Sequence, residues 1–298
     1  MKSEIIAGVL VLVGCGASAP AAQTGASTNG SQTYSIQLVR HPPVGARWTE
    51  TDHLRATEEQ TATQPGGQPE THGSSTEIQL VVDCEVLALD AERQVSRLRV
   101  AIRSFTVDSG HGPQTPVCPP VVIIERGRPG TITDEQGQPI EAGTAQALGI
   151  LLPTSPPPVD MNAHFGTPQA QAVGGSWSID SHSAADSLAG LGMTVDPANV
   201  QGVTTLVSAT NDAIVLRTVT RATHVGVPSL PAGSVERRAE VEATQEDELP
   251  LDDARLPTRD SVHASVDVEV DMPTPSGAQA HVVLSMRQEL SHERTMAP

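Results

Sequence analysis

Asp180, His182 and Ser183 bring the acid, base and hydroxyl of a hydrolase relay into one short segment. A relay needs the three side chains to converge from separate elements, and near neighbours on one segment seldom do so. No Gly-x-Ser-x-Gly elbow occurs anywhere in the chain, so the segment reads as a polar loop. The 10 histidines are widely spread, the closest two being His281 and His292, and no His-x-His or His-x-x-x-His pair exists. A zinc site local in sequence is therefore not expected, and ligands assembled from distant strands stay open as an alternative. Asp267, Glu269 and Asp271, and the run Glu246-Asp247-Glu248 with Asp252-Asp253, are acidic enough to attract calcium but lack the looped spacing that wraps it. They read as solvated acidic faces, and Arg97, Arg99 and Arg103 as outward residues that pair with acids. No catalytic, metal or cofactor residue is assigned.

Lys2 is the only lysine. Apart from that position the chain offers no Schiff-base lysine, no Walker lysine and no Ser-Lys dyad, and it has no Gly-x-Gly-x-x-Gly phosphate loop. Aromatic side chains are limited to Tyr34, Trp48, Phe105, Phe165 and Trp177, too few for a stacking platform for sugars or bases. The formal charge of −17 argues against nucleic acid and anionic lipid headgroups as partners. A non-enzymatic protein is expected, with a hydrolase site scattered through the sequence as a residual alternative.

The most specific signal lies at the start. Ile5 to Val13 is an apolar run of about nine residues, the length of a signal-peptide core and well short of the roughly 20 needed to span a bilayer. Leu12-Val13-Gly14-Cys15 closes it and resembles the lipobox of bacterial lipoprotein precursors: an aliphatic residue, two compact ones, then the cysteine that receives lipid. Glu4 offsets Lys2, which leaves the charge ahead of the core mainly on the N-terminal amine. The resemblance covers only about the first 18 residues. It implies residues 1–14 as a signal peptide, cleavage between Gly14 and Cys15, and acylation (palmitate among the chains) of Cys15, several chains giving stable attachment. It also implies a bacterial cell-envelope location, at the outer membrane facing the periplasm or surface. Residues 15–32, nearly all small or polar, read as a flexible tether. An exported chain meets oxidising conditions, and its two remaining cysteines, Cys84 and Cys118, are expected to bridge; two separate buried thiols are the alternative. A bridge closing about 35 residues would contribute around 3 to 4 kcal/mol.

These residues must be carried by β-structure, because apolar side chains recur with a period of two between Gly, Pro, Asn and Asp clusters. Tyr34 to Arg40 and Trp48 to about Glu58 are predicted as strands, with Gln60 to Ser75 as a long exposed hairpin loop. Ile78, Leu80, Val82, Cys84 and Val86 alternate on the next strand, and Leu98, Val100 and Ile102 on its return. Even positions face inward on both, so even pairs with even. The phase then moves to Phe105 and Val107, which predicts a bulge near Arg103-Ser104. Val121 to Glu125 is a short strand, and Asp134 to Gly137 a turn. Glu141 to Leu152 is the best helix, stopped by Pro153. Pro156 to Ala172 is a Pro-rich connector. Beyond it Val203 to Ala209 and Ala213 to Val225 form a hairpin, Val262 to Val270 is a cleanly alternating strand, and Gln279 to Leu290 is the last. Residues 292–298 read as a frayed tail.

The fold class is thus mainly β: antiparallel sheets in two halves, 33–155 and 173–291, with one short helix near 141–152. Val173-Gly-Gly-Ser-Trp177 echoes Val44-Gly-Ala-Arg-Trp48, each leading into a strand and a hairpin, which makes an internal duplication an open alternative to coincidence. The body loosely resembles uncharacterised envelope lipoprotein domains with such Gly-x-x-Trp strand starts. The expected function is a lipid-anchored envelope lipoprotein that binds an envelope protein or has a structural role. The other binding reading is a periplasmic carrier of a hydrophobic ligand on a curved sheet, with the helix as its plug.

Overall fold

Alternation of apolar and polar side chains sends successive residues to opposite faces of a strand, and long runs of it build a sheet with one face covered. A computed structural model describes residues 32–127, 129–155, 160–227, 230–274 and 277–297. In chain order the elements are β1 (Thr33–Tyr34), β2 (Arg47–Thr63), β3 (Glu70–Leu89), β4 (Val95–Asp108), β5 (Val121–Glu125) and β6 (Thr131–Asp134), then helices α1 (Ala142–Leu151) and α2 (Met161–Phe165). They are followed by β7 (Gln171–Ala172), β8 (Ser176–Ser178), helix α3 (Ser181–Gly190), a 3₁₀ turn (Pro197–Asn199), β9 (Val200–Ala209) and β10 (Ala213–Thr223). The last three are β11 (Val235–Pro250), β12 (Arg259–Pro273) and β13 (Gln279–Met296).

The fold is mainly β and antiparallel. Eleven strands form one sheet in the order β6-β5-β4-β3-β2-β13-β12-β11-β10-β9-β8, and β1 pairs with β7 separately. Neighbours in this sheet are neighbours in the chain except at β13–β2, which pair from His281↔Thr63 to Met296↔Trp48. Strands from both halves therefore share one sheet. The two Val-Gly-x-x-Trp segments have the same local geometry: Gly45 and Gly174 have φ of +84° and +86°, open to glycine without strain. Each donates its N–H to a neighbouring strand, at Val86 O and Leu206 O, and the next residue donates back to Pro43 O and Ala172 O.

The inward residues make a core of Leu54, Leu80, Val82, Val100, Ile124 and Leu290 among others, joined by Leu148 and Leu151 of α1 and Leu188 of α3. A smaller core holds Ile36 against Leu206, Ile214, Leu216 and Leu249. Even pairs with even at Val82↔Ile102, Cys84↔Val100 and Val86↔Leu98. The register shifts between Val81↔Ser104 and Val82↔Ile102, leaving Arg103 as the extra residue of a bulge where the change of phase demanded one. Glu141 caps α1, accepting from the N–H groups of Gly143 and Thr144.

Several expectations are corrected. Of the predicted first strand, Tyr34 to Arg40, only Tyr34 lies in a strand, the two-residue β1; the segment beyond sends its backbone bonds elsewhere, Leu38 N–H to Asn162 Oδ1 and His41 N–H to Asp253 O. The long loop over Gln60 to Ser75 is mostly ladder, because β2 and β3 keep pairing as far as Ala62↔Glu70, on mainly polar residues that are half-buried on β2 and exposed on β3. One helix becomes three: the supposed loop at Asp180 to Ser183 starts α3, and α2 lies within the expected connector. An acidic stretch not read as a strand is β11, whose inward residues Ala239, Val241 and Ala243 are small. Residues 292–296, expected to fray, are the end of β13: all pair with β2, and His292 and Glu293 pair with β12 as well.

Candidate functional site

Inward positions on β2 run Trp48, Glu50, Asp52, Leu54, and on β13 Leu290, His292, Arg294. The register places Asp52, His292, Asp260 and Asp247 side by side across β2, β13, β12 and β11, with Leu80 and Leu216 as the apolar ends of the row. Glu50 and Arg294 pair one step along. The last three strands and the sequence-distant β2 thus bring a charged cluster onto the covered face of the sheet, where Glu50, Asp52 and His292 are buried.

His292 Nδ1 lies 2.6 Å from Asp52 Oδ1 and 3.6 Å from Glu50 Oε1, and its Nε2 lies 3.8 Å from Asp260 Oδ1. Arg294 bridges the same acids, Nη2 at 2.6 Å from Glu50 Oε1 and Nη1 at 2.7 Å from Asp260 Oδ2. The Trp48 indole donates to Glu50 Oε2 at 2.8 Å, and Cys84 Sγ is 4.0 Å from that same oxygen. Three carboxylates here face two cations. Asp52 Oδ2 and His292 Nε2 are buried without a hydrogen-bond partner.

Burial and charge oppose one another in this cluster. Burial works to raise Glu50, but the Arg294 guanidinium, the His292 imidazole and the Trp48 indole outweigh it and hold the carboxyl well below its usual range. Asp52 moves the other way, raised by burial and by the charge of Glu50 despite its bond to His292. Burial would lower His292, yet Asp260 and the bonds to Asp52 and Glu50 raise it to about 10. Taking so many ionised groups out of water is costly, so the cluster is weak as a device for stability and stronger as a mark of function. It borders a cavity of about 100 Å³ whose wall also includes Trp48, Cys84, Arg126 and Leu152. On the opposite face an open groove of about 540 Å³ crosses β11, β12, β13 and β2, lined by Arg55, Glu242, His263, Arg287 and Glu289.

Among the residues singled out in the sequence, Gly14 and Cys15 lie outside the described residues, as do most of the signal peptide and tether. The expected Cys84–Cys118 bridge is corrected: both are free thiols. Cys84 points into the core beside Glu50, and burial followed by the charges of Glu50 and Asp52 keeps its thiol protonated. Burial raises Cys118 as well. Asp180 and Ser183 form a helix cap, the Asp180 carboxylate accepting from the Ser183 N–H at 2.7 Å. His164 meets Ser187 Oγ at 3.4 Å, but that hydroxyl donates to Ser183 O at 3.0 Å. Asp267, Glu269 and Asp271 share one half-exposed strand face, where Asp267 pairs with Arg287, Asp271 pairs with Arg237, and Glu269 lies 3.6 Å from His281 Nε2. Arg97, Arg99 and Arg103 pair with Glu125, Glu135 and Asp83. Sequence reasoning missed Glu50, Asp52, Asp260, His292 and Arg294 as a group. The available signal was the even-numbered alternation carried on from Leu284 through Leu290 to His292 and Arg294.

No protein-family model and no curated protein matches the chain. Solved structures with some likeness include lipovitellin, described for its lipid–protein interactions, at 8% identity and a TM-score of 0.39, over 86% of this chain and 26% of that one. DynF from the dynemicin biosynthesis pathway of Micromonospora chersina shows 9% identity and a TM-score of 0.16, over 90% and 92% of the two chains. The Escherichia coli outer-membrane protease OmpT shows 8% identity and a TM-score of 0.19, over 87% and 99%. The chain spans about a quarter of the length of lipovitellin.

Proposed function

We propose that this chain is the precursor of a bacterial lipoprotein, cut between Gly14 and Cys15, acylated on Cys15, and held at the outer membrane by the tether of residues 15–32. Its β body acts there as a non-enzymatic module that binds an envelope protein or has a structural role. The observation that carries the reading is the position of Leu12-Val13-Gly14-Cys15 directly behind an apolar run too short to span a bilayer. A small-residue spacer follows, and the β body begins at Thr33. The arrangement of Asp180 and Ser183 as a helix cap supports a non-enzymatic body, since it accounts for the one local segment with relay-type residues.

Between the two binding readings, an envelope protein is favoured over a hydrophobic ligand. Pockets for drug-sized ligands typically enclose about 300–1,000 Å³ and are mainly apolar. The cavity beside α1 is about 100 Å³ and is walled partly by Glu50, His292 and Arg294. The larger groove is open and charged. Expression in a bacterial host with a palmitate analogue tests the anchor. Wild type should take up label and fractionate with membranes, and C15A should do neither; label retained in C15A, or absent from wild type, overturns the proposal.

A further inference from the structure

We propose that Glu50, Asp52 and His292 form a binding site for one divalent transition-metal ion of the zinc class. One ligand atom from each residue lies within 4.8 Å of the others, on side chains that are all buried. An imidazole with carboxylates suits zinc-class ions, whereas calcium and magnesium prefer oxygen alone. Two ligand atoms on a tetrahedral ion at roughly 2.0–2.1 Å would be about 3.3 Å apart. The His292 Nδ1 distances of 2.6 Å to Asp52 Oδ1 and 3.6 Å to Glu50 Oε1 bracket that value. A small opening of the first contact and closing of the second would seat the ion.

The surroundings supply what a ligand set requires. With Nδ1 on the ion, the His292 Nε2–H points toward Asp260 Oδ1, 3.8 Å away and beyond hydrogen-bond reach, so closing that gap by less than about 1 Å would let this carboxylate fix the tautomer. Arg294 in turn ties Asp260 to Glu50. Asp52 Oδ2, buried and without a partner, is a further donor on the same carboxylate. Glu50, Asp52 and Asp260 converge on only two nitrogen-bearing side chains, His292 and Arg294, an excess of carboxylates that a divalent cation would offset. The fourth position would open on the cavity of about 100 Å³, room for a water molecule at about 30 Å³ each, with Cys84 on the same wall.

The test uses the full mature chain, stripped with chelator and titrated with Zn²⁺ alone by calorimetry. Wild type should bind one equivalent, D52N and H292Q should lose that binding, and D260N should weaken it about 10- to 100-fold, as loss of a carboxylate that orients a ligating histidine does. H281Q removes a histidine from an exposed acidic group at Asp271 and should leave the affinity unchanged. X-ray absorption on the wild-type zinc form keeps the test independent of how the variants fold: one imidazole with oxygen ligands is expected. No stoichiometric binding by wild type, loss of binding in H281Q, or a spectrum without imidazole would overturn the site.

Discussion

His164 is buried and stacked on Phe165 with ring centroids 3.8 Å apart, and its Nε2 has no hydrogen-bond partner. Burial lowers its pKa to about 4, against 6.5 in the unfolded chain. A histidine held neutral in this way favours the folded state fully above 6.5, and the advantage is lost as pH falls from there toward 4, because the unfolded chain takes up the proton first. Urea midpoints measured across that interval should fall, and H164Q should flatten the change. Asp247 has the opposite sign of cost. Burial, and then the charge of Asp260, raise it to about 7 from 3.8. Its ionisation penalises folding increasingly from about 4 to about 7 and fully above that. D247N should therefore gain stability over wild type at pH 8 and little at pH 4; equal gains at both would contradict the assignment. In the sequence Asp247 belongs to an acidic run that reads as a solvated face, and a histidine next to a phenylalanine carries no signal, so the burial of neither was legible there.

At the scale of elements, the alternating strands were the legible part. The bulge at Arg103 and the even-to-even register of β3 and β4 followed from where apolar residues change phase. The capped helix α1 followed from its apolar residues and the proline behind it. What escaped was β-structure whose inward positions are polar or small: the end of β13, with His292 and Arg294 where a core residue would stand, and β11, with alanines. Removing residues 292–297 tests this reading of the C-terminal end directly. It deletes ladder to β2 and β12, and it leaves Glu50, Asp52 and Asp260 without their cations. Breaking a buried ion pair costs about 3–5 kcal/mol, so the truncated chain should be severely destabilised in denaturant titrations. A frayed tail would be removed at no cost. For α1, L148A removes a fully buried side chain and should cost about 2–5 kcal/mol, while A142S at its exposed first turn should be nearly neutral.

For the whole molecule, one meander runs through the sheet from β8 to β13 and continues from β2 to β6, so the first and last strands of this sheet in chain order meet near its centre. No local pattern announces that β2 and β13 pair, because long-range adjacency depends on how complete faces are covered and not on either strand alone. The sequence did announce the class of fold and the polar surface. With Cys84 and Cys118 as free thiols, stability rests on the continuous ladder and core and not on a bridge between them; non-reducing and reducing melts should coincide. The most direct test of the lipoprotein reading is the intact mass of the N-terminal peptide from membrane-extracted protein. The expected peptide begins at Cys15 and carries the added mass of its acyl chains. A peptide that begins at Met1, or an unmodified Cys15, would contradict it.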